Sequence, residues 1–387
     1  MRVLIVVADK PLAGGIEGYY RKLARHFTFD AEYFSVGRSR QDLGSITEVG
    51  RLAGMVLRFV GRLIRSRHDV VLLNPSLATR PLIRDLTFLI LAKCAGRRCI
   101  VFFHGWEPEL AGKIDRRHRR ALGRVLNLAD AVVVLAEQFK RSLHGWGVTR
   151  PVYVESTAAE LPEDPDALFV MRRNRASGPL RLLFAARLIR SKGLNEAIET
   201  VRILRQRGLE VELKVAGDGP ELEPAKRRVC ELGIESIGFL GYVRGSKKHD
   251  AYANADLFFL PTRHGEGMSV AVLEAMAYGL PVVSRAVGGV VDFFKCPEMG
   301  AITDSTDPAE FATLIQDFVE PHHRLEAGRF NMEFAARFFS APAVARRLER
   351  LIFEAAESGA GPGGSSWMEA RVRDEVSATE RHRGLTW

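Results

Sequence analysis

The sequence predicts an α/β protein built from two doubly wound parallel-sheet domains. Three observations predict it. Short β-branched runs alternate with amphipathic helical stretches along most of the chain. The alternation breaks once, in a polar, proline-containing stretch at 155–178, and then restarts. At 387 residues the chain is longer than one ordinary core organises.

In the first half, strands are expected near 3–8, 32–36, 69–73, 99–103, 131–135 and 151–154, separated by helical patterns. The break holds Pro162, Pro165 and the basic run Arg172-Arg173-Asn174-Arg175, and reads as the interdomain connection. The second series opens with Leu180-Arg181-Leu182-Leu183-Phe184. It continues near 211–216, 237–240, 256–260, 281–284 and 300–303. Helices around 307–318, 322–338 and 342–357 close the fold. The expected domains are therefore 1–165 and 166–335, followed by a C-terminal helix at 336–357. The Gly/Ser-rich stretch Ser358–Ser366 reads as a flexible linker, and 358–387 as a flexible, accessory tail.

Apolar residues make up 47% and charged residues 27%, the balance of a soluble protein with a folded core. The longest apolar run, 86–92, stops at Lys93. It falls short of the ~20 residues a bilayer span needs. The apolar start Met1–Asp9 is too short for a secretory leader and runs into a glycine loop, so it reads as a buried first strand. A cytoplasmic protein is the expectation. The cysteines Cys94, Cys99, Cys230 and Cys296 show no metal-site or CxxC spacing and read as reduced, buried thiols. A net charge of +9 suits an anionic ligand or an anionic membrane face. Neither zinc-finger spacing nor a basic–aromatic signature supports nucleic acid as the partner.

The chemistry-bearing segments sit where strands end and helices begin. The longest runs from Gly265 to Gly289 and contains Gly265-Glu266-Gly267-Met268-Ser269-Val270 and, eight residues after the first glutamate, Glu274. A helix start near Ser269 exposes unpaired N–H groups that favour a phosphate. Glu266 and Glu274 can accept hydrogen bonds from sugar hydroxyls. On one helix the two would stand ~12 Å apart along the axis. Hydrolytic acid–base pairs sit at about 5–9.5 Å, so ligand contacts are favoured over paired acid–base chemistry.

A second segment, Phe184 to Gly193, follows a strand and places Arg187 and Lys192 ahead of a helix. Arginine offers a planar fork for phosphate oxygens and lysine a point charge. Val215-Ala216-Gly217-Asp218-Gly219-Pro220 reads as a strand followed by a turn. In the first half, Gly14-Gly15 follows strand one and permits close backbone approach to a ligand, without the GxGxxG fingerprint. His104 lies just past the carboxyl end of a strand, where α/β folds place ligands.

Together these segments resemble the retaining glycosyltransferases of the GT-B fold, in the large family numbered four (glycosyl transferases group 1). The resemblance covers residues 1–357, with its specific motifs in 181–290. It implies two Rossmann-like domains facing across a cleft, and a C-terminal helix that crosses back to the first domain. It implies that Glu266 and Glu274 form the family's E-x7-E pair, binding donor sugar and ribose hydroxyls. Arg187 and Lys192 would hold the donor pyrophosphate, although Ala186 replaces the family's usual glycine. Gly15 would lie over the donor phosphate, and His104 would contact the donor sugar. Gly267, Met268, Ser269 and Val270 would supply the loop and N–H groups around the donor. Val243, in Phe239-Leu240-Gly241-Tyr242-Val243, would belong to the loop that meets the nucleobase through its backbone.

The implied activity is transfer of a sugar, with retention, from a UDP- or GDP-linked donor to an acceptor hydroxyl, in polysaccharide or glycolipid synthesis. No cofactor and no metal are expected. The expected partners are a nucleotide sugar and a glycan or lipid-linked acceptor. One departure concerns the acceptor region: Val154-Glu155-Ser156-Thr157-Ala158 stands where many members carry Asn-Gly-Val-Asp. Two rivals stay open, a sugar-nucleotide epimerase of the same architecture and a non-catalytic sugar-nucleotide-binding subunit.

Two basic stretches raise a membrane partner. Within Val49–His68, Val49, Leu52, Val56, Phe59, Val60, Leu63 and Ile64 are expected against the sheet, with Arg51, Arg58, Arg62 and Arg65 on the opposite face. Arg116-Arg117-His118-Arg119-Arg120 and Arg124 form the second. Peripheral binding to an anionic membrane surface, on the inner face of the plasma membrane, is the expectation these clusters support.

Overall fold

The computed structural model describes residues 1–9, 16–37, 45–175, 178–265, 267–357 and 366–367. Gly15 and Glu266 lie outside the described residues, as do the side chains of Val49 and Arg51. The chain divides into two compact units. Unit 1 takes the described residues of Met1–Thr157, Gly265–Met268 and Ala341–Trp387. Unit 2 takes those of Ala158–His264 and Ser269–Ser340.

Unit 1 starts with β1 (Arg2–Asp9), α1 (Ile16–Leu23), β2 (Asp30–Gly37), α2 (Ser45–Arg65), β3 (Val70–Leu73), β4 (Ser76–Leu77) and α3 (Thr79–Cys94). There follow β5 (Arg98–Phe102), β6 (Gly105–Trp106), α4 (Pro108–Lys113), α5 (Arg119–Leu126), β7 (Ala131–Val134), α6 (Glu137–Gly145) and β8 (Val152–Val154). The main sheet is parallel in the order β2-β1-β3-β5-β7-β8. The chain leaves β1 to one side for β2 and returns to the other for β3, which makes the β1/β3 boundary a topological switch point. Helices on both faces explain the unbroken apolar strands: every residue of Val70–Leu73 and of Ala131–Val134 is buried.

Unit 2 holds α7 (Pro165–Asn174), β9 (Leu180–Ala185), α8 (Leu194–Gln206), β10 (Val211–Ala216), α9 (Leu222–Glu231), β11 (Ile237–Gly241) and α10 (Ser246–Ala253). It continues with β12 (Leu257–Leu260), α11 (Val270–Ala277), β13 (Val282–Arg285), α12 (Val290–Phe293), β14 (Gly300–Thr303), α13 (Pro308–Gln316) and α14 (Pro321–Phe338). Its parallel sheet runs β11-β10-β9-β12-β13-β14. The strand boundaries match those read from alternation, so the doubly wound class was legible in the sequence.

The last helix, α15 (Ala341–Glu357), belongs to unit 1. Thr28 donates to Glu349 Oε1 from its N–H at 2.8 Å and its hydroxyl at 2.6 Å. Arg347 donates from Nε and Nη2 to Glu155 at 2.7–3.2 Å and from Nη2 to Ser156 Oγ at 2.8 Å. Ser366 forms a parallel bridge to Val154, and buried Trp367 lies 5.6 Å from the Arg347 guanidinium. These two tail residues are thus packed, contrary to a uniformly loose tail.

Three other expectations need correction. The 155–178 stretch is more than a connection, because α7 buries Arg172 in unit 2. Arg172 donates to the carbonyls of Ala255 at 3.0 Å and Tyr252 at 2.8 Å, and also to that of Tyr278. On α2, Met55, Phe59 and Leu63 face inward, and Phe59 stacks on Phe88 of α3 at 4.3 Å. Ile64 and Leu52, assigned to the sheet side by sequence, are 77% and 41% exposed. The helix therefore turns some aliphatic side chains outward beside its arginines. Finally, of the cysteines only Cys99 is buried, which pushes its thiol up to about 12, while Cys94, Cys230 and Cys296 are exposed. Among the described residues no helix is long and apolar enough to cross a membrane.

Candidate functional site

In unit 2 the cations gather beyond the carboxyl ends of β9 and β12. After β9 the chain makes a 3₁₀ turn at Arg190–Lys192 and enters α8 through Gly193, at φ 82°. A Cβ there would stand 2.2 Å from the carbonyl oxygen of Pro261, so only glycine lets this turn close on the segment after β12. The same contact is held by Arg263 N–H donating to Ser191 O at 2.7 Å. A hydrogen bond of 3.1 Å joins Ser191 Oγ and His264 Nδ1.

Lys192 is buried, Arg187 is exposed, and both act electrostatically on His264. Burial, then the neighbouring Arg187, brings the Lys192 ammonium down to about 8. Burial, then Lys192 and Arg187, lowers the His264 imidazole. Arg187 and Lys192 thus make the surroundings of His264 electropositive, which suits an anionic ligand. Sequence reasoning named Arg187 and Lys192 and missed His264, whose only signal was its place four residues beyond a buried strand.

Helix α11 begins at Val270, and its N-cap Ser269 makes no side-chain capping bond. Its first N–H groups are thus left for a ligand or water. Val270 is 38% exposed at that end. One turn further on, Glu274 is buried and accepts from Lys248 Nζ of α10 at 3.0 Å. Lys248 also reaches Glu160 at 2.5 Å. Burial alone would lower the Lys248 ammonium, but Glu274 and Glu160 outweigh it and raise it. Burial first, and then the Glu274 carboxylate, raise the phenol of Tyr252, one turn along α10. The spacing of Lys248 and Tyr252, one helical turn apart, was the available signal for this pair. Val243 lies apart from these groups. It lines a groove of about 580 Å³ with Leu240, Lys214, Lys247 and Asp250, and neither Arg187, Lys192 nor Glu274 borders it.

In unit 1, Asn74 and His104 follow β3 and β5 at the carboxyl side of the switch point. His104 Nε2 lies 2.9 Å from Asn74 Oδ1, which also accepts from Tyr20 O–H at 2.6 Å. Asn74 Nδ2 donates to Val6 O at 2.9 Å and Leu72 O at 3.3 Å. The imidazole packs on Phe102 at 4.0 Å and Tyr19 at 5.1 Å. Burial lowers its pKa to about 3.

The loop that flanks Glu266 packs on this histidine's segment. A Cβ on Gly265 would meet the Pro108 ring at 2.7 Å and Trp106 O at 2.9 Å. One on Gly267 would meet Leu135 Cδ1 at 2.8 Å and His104 O at 3.2 Å. Met268 is buried beside them. The two glycines thus bring both sides of position 266 against the His104 loop.

The family model for "Glycosyl transferases group 1" matches residues 170–328. A Mycolicibacterium smegmatis protein named GDP-mannose-dependent alpha-(1-6)-phosphatidylinositol monomannoside mannosyltransferase is 29% identical over 251 residues, 61% of this chain and 65% of its own length. A Salmonella typhimurium putative colanic acid biosynthesis glycosyltransferase, WcaL, is 30% identical over 193 residues, 48% of each chain. This chain spans less than two thirds of either relative. Among solved structures, Anabaena HepE in complex with UDP and glucose superposes with a TM-score of 0.69 at 16% identity, covering 92% of this chain and 100% of that one. The likeness shows the shared fold.

Proposed function

We propose that this chain, whose residues 170–328 match the glycosyl transferases group 1 family model, is a retaining glycosyltransferase. It moves a sugar from a nucleotide-diphosphate donor to an acceptor hydroxyl. The observation that carries the reading is the convergence of Arg187 and Lys192 on His264 beyond the carboxyl ends of β9 and β12, positive charge that suits an anionic diphosphate. As the glycosidic bond to the diphosphate breaks, charge builds on the leaving oxygens, where Arg187, Lys192 and the N–H groups of Ser269 and Val270 stabilise it. Glu274 takes the ribose hydroxyls, exchanging part of its contact with Lys248. Val243 offers backbone groups to the base. Glu266 and His104 take the transferred sugar, with Gly267 and Met268 shaping the loop and Gly15 approaching the donor phosphate.

The donor is UDP- or GDP-linked. The relatives' names point each way: GDP-mannose for the mycobacterial enzyme, UDP and glucose for the Anabaena structure. A melting-temperature panel with UDP-glucose, UDP-galactose, UDP-GlcNAc and GDP-mannose tests the reading, because a ligand bound only by the native state raises its melting point. One donor should stabilise the protein, and Arg187→Ala should abolish the shift. A flat panel would sink the proposal. Product analysis without acceptor separates an epimerase, which needs none.

The acceptor is a glycan or a lipid-linked saccharide, and the place of work is the cytoplasmic face of an anionic membrane. Leu57 and Ile64 of α2, 71% and 77% exposed, support this, with exposed Arg58 and Arg65 beside them. On the adjoining α3, Ile83 and Ile90 are also exposed, at 58% and 43%. Aliphatic side chains among arginines suit an interfacial helix. Equal sedimentation with neutral and anionic vesicles at low salt would count against it.

A further inference from the structure

We propose that Asn74 and Tyr20 are positioning residues that fix His104 as the Nε2–H tautomer and present its bare Nδ1 to a hydroxyl of the transferred sugar. The proposal deepens the glycosyltransferase reading and rests on it for the sugar, but the tautomer is a property of the protein alone. The argument runs outward from the Asn74 amide. Its Nδ2 donates to the backbone carbonyls of Val6 and Leu72, so the amide cannot be turned around without losing both bonds. Its Oδ1 then faces Tyr20 O–H at 2.6 Å and His104 Nε2 at 2.9 Å. A carbonyl oxygen only accepts, so the imidazole must donate from Nε2. Two donors fill both lone pairs of that oxygen, and neither can be exchanged cheaply inside a buried site.

The other nitrogen follows by exclusion. Among the described residues none hydrogen-bonds Nδ1, and the His104 residue is only partly buried. Among the described residues burial alone shifts the ring, with no charged neighbour offsetting it. Tyr19 and Tyr20 of α1 are the titratable groups packed on the ring, and burial raises both phenols well above their ordinary range. The ring therefore stays neutral at physiological pH and acts as an acceptor. A sugar hydroxyl is the fitting donor, since it supplies an O–H and, unlike a phosphate, demands no cation. The loop glycine Gly267, whose Cβ would crowd His104 O, brings the region flanking Glu266 to the same segment.

The test is nitrogen-15 NMR of the full chain with labelled histidine, alongside kinetics. In the free protein at pH 7, His104 should show a protonated Nε2 and a bare Nδ1. Adding whichever of UDP-glucose or GDP-mannose is turned over should move the Nδ1 resonance toward that of a hydrogen-bonded acceptor, and the matching nucleoside diphosphate should not. Asn74→Asp places a carboxylate on Nε2. It should raise the imidazole pKa from about 3 by at least one unit, read from the pH midpoint of the histidine resonances, while leaving the ring neutral at pH 7. Tyr20→Phe, the gentler change, should shift the Nε2 resonance and lower kcat several-fold with KM for the donor unchanged, and serves if Asn74→Asp does not fold. A protonated Nδ1 in the free protein, or an unmoved histidine spectrum in both variants, overturns the proposal. The expected tautomer with no donor turned over would instead remove the glycosyltransferase reading.

Discussion

Lys248 Nζ stands 3.0 Å from Glu274 Oε1, a cation of α10 on the buried carboxylate of α11. The pair explains how a glutamate can stay inside a doubly wound domain before any ligand arrives. Lys248→Met removes the cation from that buried carboxylate and should cost about 3 kcal/mol in urea denaturation. Ribose hydroxyls can replace part of the lost partner, so the bound donor should raise the melting temperature more in the variant than in the wild type. Equal shifts would disconnect Glu274 from the nucleotide.

Lys192 predicts the opposite sign. Its ammonium titrates near 8 in the fold, below the ordinary 10.5, because of burial and then Arg187. Between those two values the unfolded chain binds more protons, so stability should rise with pH across that window. Below pH 8 the charge is a standing cost. Lys192→Met should therefore stabilise the ligand-free protein at pH 7 by on the order of 2 kcal/mol while reducing turnover at least a hundredfold. Donor affinity of the wild type should weaken as pH climbs past about 8. Chemical denaturation and nucleotide titration at pH 7 and 9.5 check both signs.

The glycines around position 266 separate local strain from global stability. In Gly267→Ala the nearest atom is the end of a leucine side chain, which can move, and His104 O must yield by a few tenths of an ångström. In Gly265→Ala the new methyl meets a proline ring and a backbone oxygen, neither of which gives way easily. Gly267→Ala should lower kcat several-fold with under about 1 kcal/mol of destabilisation. Gly265→Ala should lose more of both. Steady-state kinetics beside thermal melts would expose a reversed order.

Arg172 supplies a structural control, since its guanidinium serves backbone carbonyls. Burial brings its guanidinium down to about 10, and its N–H groups serve the carbonyls of Tyr252, Ala255 and Tyr278. Arg172→Leu orphans those carbonyls together and should cost roughly 3–5 kcal/mol. The fraction that remains folded should keep the wild-type KM for its donor.

What the sequence disclosed, and what it hid, divides by the range of the interaction. The strands were legible because Val70–Leu73 and Ala131–Val134 are unbroken apolar runs, which only a sheet covered on both faces requires. The strand-to-helix turn that carries Arg187 and Lys192 was legible because such a turn is local. Lys248, Asn74 and His264 were not, since each gains its meaning from a partner distant in sequence: Glu274, Tyr20 and Lys192 respectively. The outward turn of Ile64 was missed for a related reason. Hydrophobicity fixes that a residue prefers cover, and α2 already fills its inner face with Met55, Phe59 and Leu63.

The bridge from Ser366 to Val154 bears on how the protein can be trimmed or tagged. β8 is the border strand of its sheet, and a bare border invites pairing with another chain. A cut after Glu357 would strip that cover together with Trp367 and leave the Arg347 side of α15 open to water. Such a shortened protein should gather into aggregates sooner on warming, so affinity handles belong downstream of the tryptophan.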